Sequence, residues 1–491
     1  MKRRQFMDLS VWAATAAAVF PHVLTSSSQA ALKRNVLFIS IDDLRPELNC
    51  YGASHIHSPN IDRLAESGTL FRRAYCQQAV CNPSRASLMT GLRPDTSGVI
   101  DLPTHFRDRV PDVVTIPQHF MNNGWHSQGM GKIYHTGHGN RDDKFSWSVP
   151  HQRPRINNYL LKESLQIARE NRKKNKADKS HRWTNGPPTE MADVVDEAYR
   201  DGATARLAVE TLNTLVDQPF FLATGFSRPH LPFCAPKKYW DLYDRSKIEL
   251  PDNYFPQKNV PSYAPASWGE LRKYHGIPPE GSVSEEQALT MIHGYYACVS
   301  YIDAQVGLML NELDRLGLRD NTSVVLWGDH GWKLGEHAAW CKHSNVEDDT
   351  NAPLICSDPD LSGGHVTDAL VEFVDVYPTL CELAGLSVPS HVEGDSYVPL
   401  MQNPKREWKT AAFSQYPRGR NRMGYTMRTD RYRYTEWVSR DVNRELLAQE
   451  LYDHKTDPQE NVNVINDSAY ASVVPKLAKQ MKSGWQGARP R

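Results

Sequence analysis

A chain of 491 residues is too long for one ordinary core, which leaves two or three units, or one large domain with a smaller appendage. Lysine plus arginine and aspartate plus glutamate both number 57, so no global field draws the protein onto nucleic acid or an anionic membrane, and any affinity for anions must be built locally. The eight cysteines, at 50, 76, 81, 234, 298, 341, 356 and 381, contain no C-x-x-C pair. That pattern indicates neither a zinc site nor a small disulfide scaffold, and buried thiols such as Cys298 and Cys381 are its plainest reading.

Residues 1–30, MKRRQFMDLSVWAATAAAVFPHVLTSSSQA, run from a basic start through a short apolar stretch broken by Pro21 to Ser-Gln-Ala, the pattern of a cleavable export signal. Arg3-Arg4 followed by Gln5-Phe6-Met7 has the form of a twin-arginine address, with a general secretory signal as the alternative. No later segment approaches the roughly 18 to 20 apolar residues of a membrane span. A periplasmic or secreted protein without a transmembrane segment is expected.

Val36 to Ile41 is an unbroken apolar, β-branched run, the signature of a strand buried on both faces of a parallel sheet, and it stops at Asp42-Asp43. SPNIDRLAESG then predicts a helix with Ser58 as N-cap, Pro59 in the first turn, an apolar face of Ile61, Leu64 and Ala65, and Gly68 at its end. Residues 169–182, RENRKKNKADKSHR, carry no apolar stripe and read as a solvated basic insertion.

Further strands are predicted at 219–226 and 322–328, and LVEFVDVYPTLCELAGL as a strand running into a helix. From 287 to 316, Leu289, Ile292, Tyr296, Val299, Ile302, Val306, Leu310 and Leu313 recur at steps of three and four, the pattern of one long helix packed on the sheet. Near residue 405 the character changes: MGYTMRTDRYRYTEWV predicts a hairpin around Thr429-Asp430, and the chain from Tyr470 is helical again. The expected fold class is α/β, a large mainly parallel sheet flanked by helices, with a smaller C-terminal α+β subdomain containing an antiparallel sheet. The domain reading is an export signal over 1–30, a catalytic domain over 31–404 and the subdomain over 405–491.

Open parallel sheets bind ligands beyond the carboxyl ends of their strands, and two predicted strands end there on Asp42-Asp43 and Asp329-His330. Three carboxylates in one crevice repel unless a cation sits among them, and oxygen donors suit calcium or magnesium better than zinc. Cys81 precedes a short helix with Pro83 in its first turn and Gly91 closing it, beside free backbone donors at the positive pole; Arg85 follows one turn later. Such a cysteine is either a nucleophile with a lowered pKa or a small buried hydrophobe.

CNPSRASLMTGLRPDT matches the signature Cys-x-Pro-Ser-Arg followed by a Thr-Gly turn, and so resembles the formylglycine-dependent sulfatases of the alkaline-phosphatase-like superfamily. GMGKIYHTGHG, GFSRPHLPF, GDHGWKLGEHAAWCKHSN, QYPRGRNRMGYTMRTDRYRYTEW and ELYDHKTDPQEN are similar, in that order, to blocks of iduronate-2-sulfatase and its bacterial relatives. The resemblance implies a sulfuric ester hydrolase in which a maturation enzyme oxidises Cys81 to formylglycine. One hydroxyl of the aldehyde hydrate attacks sulfur, and the other expels sulfate by re-forming the aldehyde.

The same resemblance implies Asp42, Asp43, Asp329, His330 and the modified Cys81 as ligands of calcium, with magnesium as alternative. It places Lys132 and Lys342 on the sulfate oxygens, His135 and Arg85 on the hydrate, and His230 as the acid for the leaving sugar oxygen, a role Lys342 could share. Arg418, Arg420 and Arg422 are expected near the pocket mouth, with Arg418 the candidate for a uronate carboxylate. The implied substrate is a sulfated oligosaccharide or polysaccharide carrying a 2-O-sulfated uronate, with another glycosaminoglycan or algal sulfate ester as alternative. The rivals are a phosphate or phosphonate ester hydrolase of the same superfold and a non-catalytic polysaccharide-binding relic, although no signature residue is missing.

Overall fold

The computed structural model describes residues 33–490, so the expected export signal lies outside the described residues. Asn35–Ile41 is wholly buried at the centre of a seven-stranded sheet because its side chains serve two cores at once. Leu37, Ile39 and Ile41 pack into one hydrophobic cluster, Val36 and Phe38 into the other, which is why the run shows no alternation. Phe220–Phe226 and Thr322–Gly328 flank it, both parallel, with Ile41 level with Phe226 and Gly328. His126–Gly131 extends the parallel set beyond Phe220–Phe226.

On the other edge Leu354–Ser357 runs antiparallel to Thr322–Gly328, Thr69–Phe71 antiparallel to it, and His365–Thr367 parallel to Thr69–Phe71. The mainly parallel expectation therefore holds for four contiguous strands, and the sheet as a whole is mixed. The segment from Leu370 departs from expectation too: its strand is only Val371–Glu372, paired with Ala74–Tyr75 outside the main sheet, before the helix Val376–Leu383.

The long helix spans Glu285–Arg315 and opens on a capping box of Ser284 and Gln287. Pro59–Glu66 forms as predicted with Ser58 at the N-cap position, but the Ser58 side chain makes no cap hydrogen bond. Asp303 on the long helix accepts from the Asn60 and Ile61 N–H groups at 3.0 and 2.7 Å, a cap supplied from 243 positions away. The basic stretch at 169–182 is also not a bare insertion. Its first part completes the helix Lys162–Ala177, which buries Ser164, Ala168 and Asn171, a polar stripe at helical spacing that an apolar criterion overlooks.

The C-terminal sheet is antiparallel, with Ala411–Arg418, Arg422–Thr429, Tyr432–Ser439 and Leu446–Asp453 in sequential order, followed by the helix Val474–Ser483. The expected hairpin turns at Asp430, between Thr429 and Tyr432. Arg433, 1 % exposed, pairs with Glu347 and Glu460 at 2.5 Å each, while Arg428 joins Glu347 and His454 joins Glu460. Removing that guanidinium takes the shared charge partner from the buried Glu460 and the half-buried Glu347, leaving them to His454 and Arg428. Arg433→Met should therefore lower unfolding free energy by about 3–5 kcal/mol, read from urea denaturation; a loss below about 1 kcal/mol would mean the network relaxes around the gap.

All eight cysteines are free thiols, and all but Cys50 are buried, Cys298 and Cys381 among them. Among the described residues no helix is long and apolar enough to cross a membrane.

Candidate active site

The parallel register places the two acidic strand ends side by side. Asp329 N–H donates to Ile41 O at 3.2 Å, and Asp43 N–H donates to Asp329 Oδ1 at 3.0 Å. Asp43 adopts φ 60°, a left-handed conformation that aspartate tolerates better than most residues, and it turns this second carboxylate back towards the first. Asp42, Asp43, Asp329 and His330 are all fully buried.

His330 Nδ1 lies 3.0 Å from the Gly331 carbonyl, which fixes it as the protonated nitrogen and leaves Nε2 as an acceptor. That Nε2 is 3.4 Å from Cys81 Sγ, 3.4 Å from Asp43 Oδ1 and 3.6 Å from Asp329 Oδ1.

Cys81 is the first residue of the helix Cys81–Thr90, every residue of which is buried, and Gly91 closes it at φ 70°. Of the two sequence readings of this thiol, the structure favours the second: burial, together with the Asp42 carboxylate, pushes its pKa well up. The unmodified group is therefore held as a thiol rather than a thiolate. Ser84, one turn into the helix, bonds the Asp329 main-chain carbonyl and ties the helix to the strand end.

Arg85 was expected against the group at position 81, but its donors go elsewhere. Nε donates to Asp329 Oδ2 at 2.9 Å, Nη2 to Asp42 Oδ1 at 3.1 Å, and Nη1 to Ser40 Oγ and the Lys132 and Ile133 carbonyls. It locks the two carboxylates that face each other across adjacent strands and makes no hydrogen bond to Cys81.

Lys132 follows Gly131, whose φ of 71° turns the chain at the end of His126–Gly131; a Cβ there would lie 2.0 Å from Gly225 O, so only glycine lets the strands meet so closely. The ammonium pairs with Asp42 and lies 3.8 Å from Cys81 Sγ. Burial would raise the Asp42 pKa, but Lys132, His230 and Arg85 together hold it well below the carboxylate range. His135 stacks on His138, and burial with the Lys132 charge lowers its pKa to about 3, so it is a neutral imidazole whose Nδ1 is buried without a partner.

Lys342 Nζ lies 3.0 Å from Asp43 Oδ1, over the Trp332 ring. His230 Nδ1 is 2.6 Å from the Leu231 carbonyl, and its Nε2 is 3.9 Å from Asp43 Oδ2. Glu270 links the two: its oxygens lie 2.8 Å from His230 Nε2 and 2.8 Å from Lys342 Nζ. Burial lowers the His230 pKa, yet Asp43 and Glu270 outweigh it and the net shift is upward. Glu270 was not among the sequence candidates, and SWGELRKYH carries no pattern that would single it out.

Arg418 stands apart from this centre. Its guanidinium donates to the Tyr263 and Ala264 carbonyls at 2.6–3.0 Å and stacks on Tyr416, whose ring meets His343. It fastens one wall of the site. Arg422 stacks on Tyr263, and Arg420 is exposed.

Ligand atoms of Asp42, Cys81, Asp329 and His330 lie within 4.8 Å of one another, as do those of Asp42, Asp43, Cys81 and His230. The first set, completed by Asp43, is a mainly carboxylate cage with one oriented imidazole, and this chemistry fits a hard divalent cation. With Lys132, Lys342 and His230 around it, the centre sets cationic and proton-bearing groups beside a buried carboxylate cage, an arrangement suited to an ester hydrolase acting on an anionic oxyacid.

A family model described as Sulfatase matches residues 34–386, and one described as N-sulphoglucosamine sulphohydrolase, C-terminal, matches residues 335–486. The chain belongs to the sulfatase family and is a sulfuric ester hydrolase. It is 34% identical to iduronate 2-sulfatase of Mus musculus, across 90% of this chain and 93% of the relative. Among solved structures, BT4656 in complex with its substrate D-glucosamine-2-N,6-O-disulfate superposes with a TM-score of 0.73 at 21% identity, covering 93% of this chain and 98% of the other. The phosphonate monoester hydrolase SpPMH from Silicibacter pomeroyi superposes with a TM-score of 0.72 at 22% identity, covering 92% and 95%. These two structures establish the shared fold, and the sequence matches separate the chemistries.

Proposed function

We propose that the protein removes the sulfate of a 2-O-sulfated uronate at a carbohydrate substrate, using formylglycine made from Cys81. The supporting observation is the convergence on Cys81 Sγ of His330 at 3.4 Å and Lys132 at 3.8 Å, inside a buried carboxylate cage. The iduronate 2-sulfatase relative supports the uronate. In this reading a maturation enzyme supplies the aldehyde, 31–404 carries the chemistry, and 405–491 closes the mouth through Tyr416 and Arg418. The N-terminal signal pattern carries the chain to the periplasm or outside the cell, where sulfated polysaccharides are met.

Asp42, Asp43, Asp329 and His330, with the oxygen at position 81, would hold a divalent cation, calcium before magnesium, which when bound eases deprotonation of a neighbouring hydroxyl. Arg85 holds Asp42 and Asp329 in place and, with Lys132 and His230, keeps the pKa of the Asp42 carboxyl low. Neutral His135 accepts a hydrogen bond from the hydrate, which an imidazolium could not. Lys132 and Lys342 hold sulfate oxygens, and His230, whose pKa Asp43 and Glu270 raise against burial, delivers a proton to the leaving sugar oxygen.

The test is a desulfation screen over glycosaminoglycan disaccharides and ulvan fragments, with aryl sulfate and aryl phosphate beside them. Sulfate release from the 2-O-sulfated uronates alone is the expected result; dominant release of phosphate, or of 6-O-sulfate, overturns the reading. Dialysis against a chelator should abolish turnover and calcium should restore it. An enzyme indifferent to both would have no cation in its cage.

A further inference from the structure

Beside Lys132 and His230 opens a cavity of about 490 Å³ walled by Arg153, Arg155, Arg200 and Arg228. Its acidic lining is Asp42, already held by Lys132 and Arg85. Elsewhere buried guanidiniums face carboxylates: Arg85 has Asp42 and Asp329, Arg93 has Glu372, and Arg433 has Glu347 and Glu460. The four cavity arginines differ: Arg228 is buried, Arg200 is half-buried, and Arg153 and Arg155 are exposed on the cavity wall.

Arg153 donates to Thr136 Oγ1 and the Tyr134 carbonyl, Arg200 to the Ile156 carbonyl, and Arg228 to the His230 and Cys234 carbonyls. None of the four has an ion-pair partner among the described residues. Burial lowers the pKa of Arg153 and of Arg200; Asp142 and Asp201 respectively act against it, while Arg85 and Arg200 add to it at Arg153 and Arg228 at Arg200. Like charges brought together in a concavity with no carboxylate in direct ion contact, Asp142 and Asp201 acting on them only from a distance, mark a place for an anion.

The placement is built into the fold. Gln152 is clamped to the strand that ends at Lys132, its N–H donating to Gly129 O at 3.0 Å and its carbonyl accepting from Gly131 N–H at 2.9 Å, so Arg153 must stand beside Lys132. Arg200 opens the helix Arg200–Thr214, and the next residue, Asp201, accepts from the Ser227 and Arg228 N–H groups at 2.8 and 2.9 Å, which fixes the opposite wall. Arg418 is not part of this cavity's lining.

We propose that this cavity is a second anion subsite, in which Arg153 and Arg200 bind a further carboxylate or sulfate of the substrate whose scissile sulfate lies at position 81. The proposal rests on the sulfatase reading and makes the substrate at least a dianion. Guanidinium forks on a carboxylate or sulfate are geometrically selective, so the subsite acts as a specificity filter beside the reacting centre.

The test is calorimetric binding to the full chain carrying Cys81→Ala, so that no probe is turned over. The probes are a 2-O-sulfated uronate, its carboxyl-reduced counterpart, and a neutral-sugar disulfate. Both dianions should bind about 10-fold or more tighter than the monoanion. Which dianion binds tighter assigns carboxylate or sulfate to the subsite. Arg153→Gln with Arg200→Gln should erase that preference and flatten its salt dependence; Arg153→Lys with Arg200→Lys should restore part of it.

Equal affinity of mono- and dianions for the intact cavity, or a preference that survives the double glutamine variant, overturns the proposal. Should that variant fail to fold, the single substitution Arg153→Gln, at an exposed position, reads the same ratio. Sulfate release by the matured chain is measured separately: arginine-dependent preference without release would leave the subsite standing and remove the uronate sulfatase reading.

Discussion

Replacing Cys81 by alanine abolishes sulfate release, with kcat lowered by about 10⁴-fold or more, as for loss of a nucleophile elsewhere. The fold should survive. Cys81 is 3 % exposed at the start of a helix, its thiol has no ion-pair role, and alanine is the better helix former, so the stability change is held to about 1 kcal/mol. Thermal unfolding and turnover are measured on the same preparation. Cys81→Ser adds a sharper result: a serine ester of sulfate has no second hydroxyl to expel it, so a covalent adduct should accumulate in place of turnover. A peptide mass spectrum across residues 74–93 of active protein should show the aldehyde, and full activity with an unmodified thiol would end this mechanism.

Lys342→Ala is the second large effect. Its ammonium is 2 % exposed, held between Asp43 and Glu270, and in the proposed reaction it meets negative charge moving towards the bridging oxygen. Preorganised donors of this kind supply about 10²–10³-fold in rate, so kcat should fall by at least about 10²-fold, with KM changing less. The substitution also leaves Asp43 and Glu270 without their shared cation, and a lowered unfolding temperature should accompany it. Kinetics taken well below that temperature separate the two effects. A variant with normal kcat would move the charge-stabilising role to Lys132 or His230.

The features that could be read along the chain are those written in local patterns. The two-faced burial of Asn35–Ile41 produces an unbroken apolar run, the long helix Glu285–Arg315 repeats its apolar positions every three or four residues, and a strand that ends on acid shows where ligands gather. The signature around Cys81 carries the chemistry because helix start, proline and Arg85 must follow one another within a single turn.

What stayed hidden depends on long-range neighbours. Leu354–Ser357 reads like any buried strand, and its reversed direction is decided by the chain path around it. Asp303 caps a helix from another helix, and Arg85 reaches Asp42 and Asp329 rather than its own helix's first residue.

By itself, then, the sequence determined the α/β class and the strand-end carboxylates, which local patterns record, while its resemblance to the sulfatases singled out Cys81 and the lysines and histidines of the centre as candidates. Only the tertiary structure decided that Glu270 bridges His230 and Lys342, that Arg418 is tied to main-chain carbonyls, and that Arg153, Arg200 and Arg228 share one cavity. The physical reason is that electrostatic pairing and burial act through space, between groups that the chain separates by tens to hundreds of residues, and no local period records them.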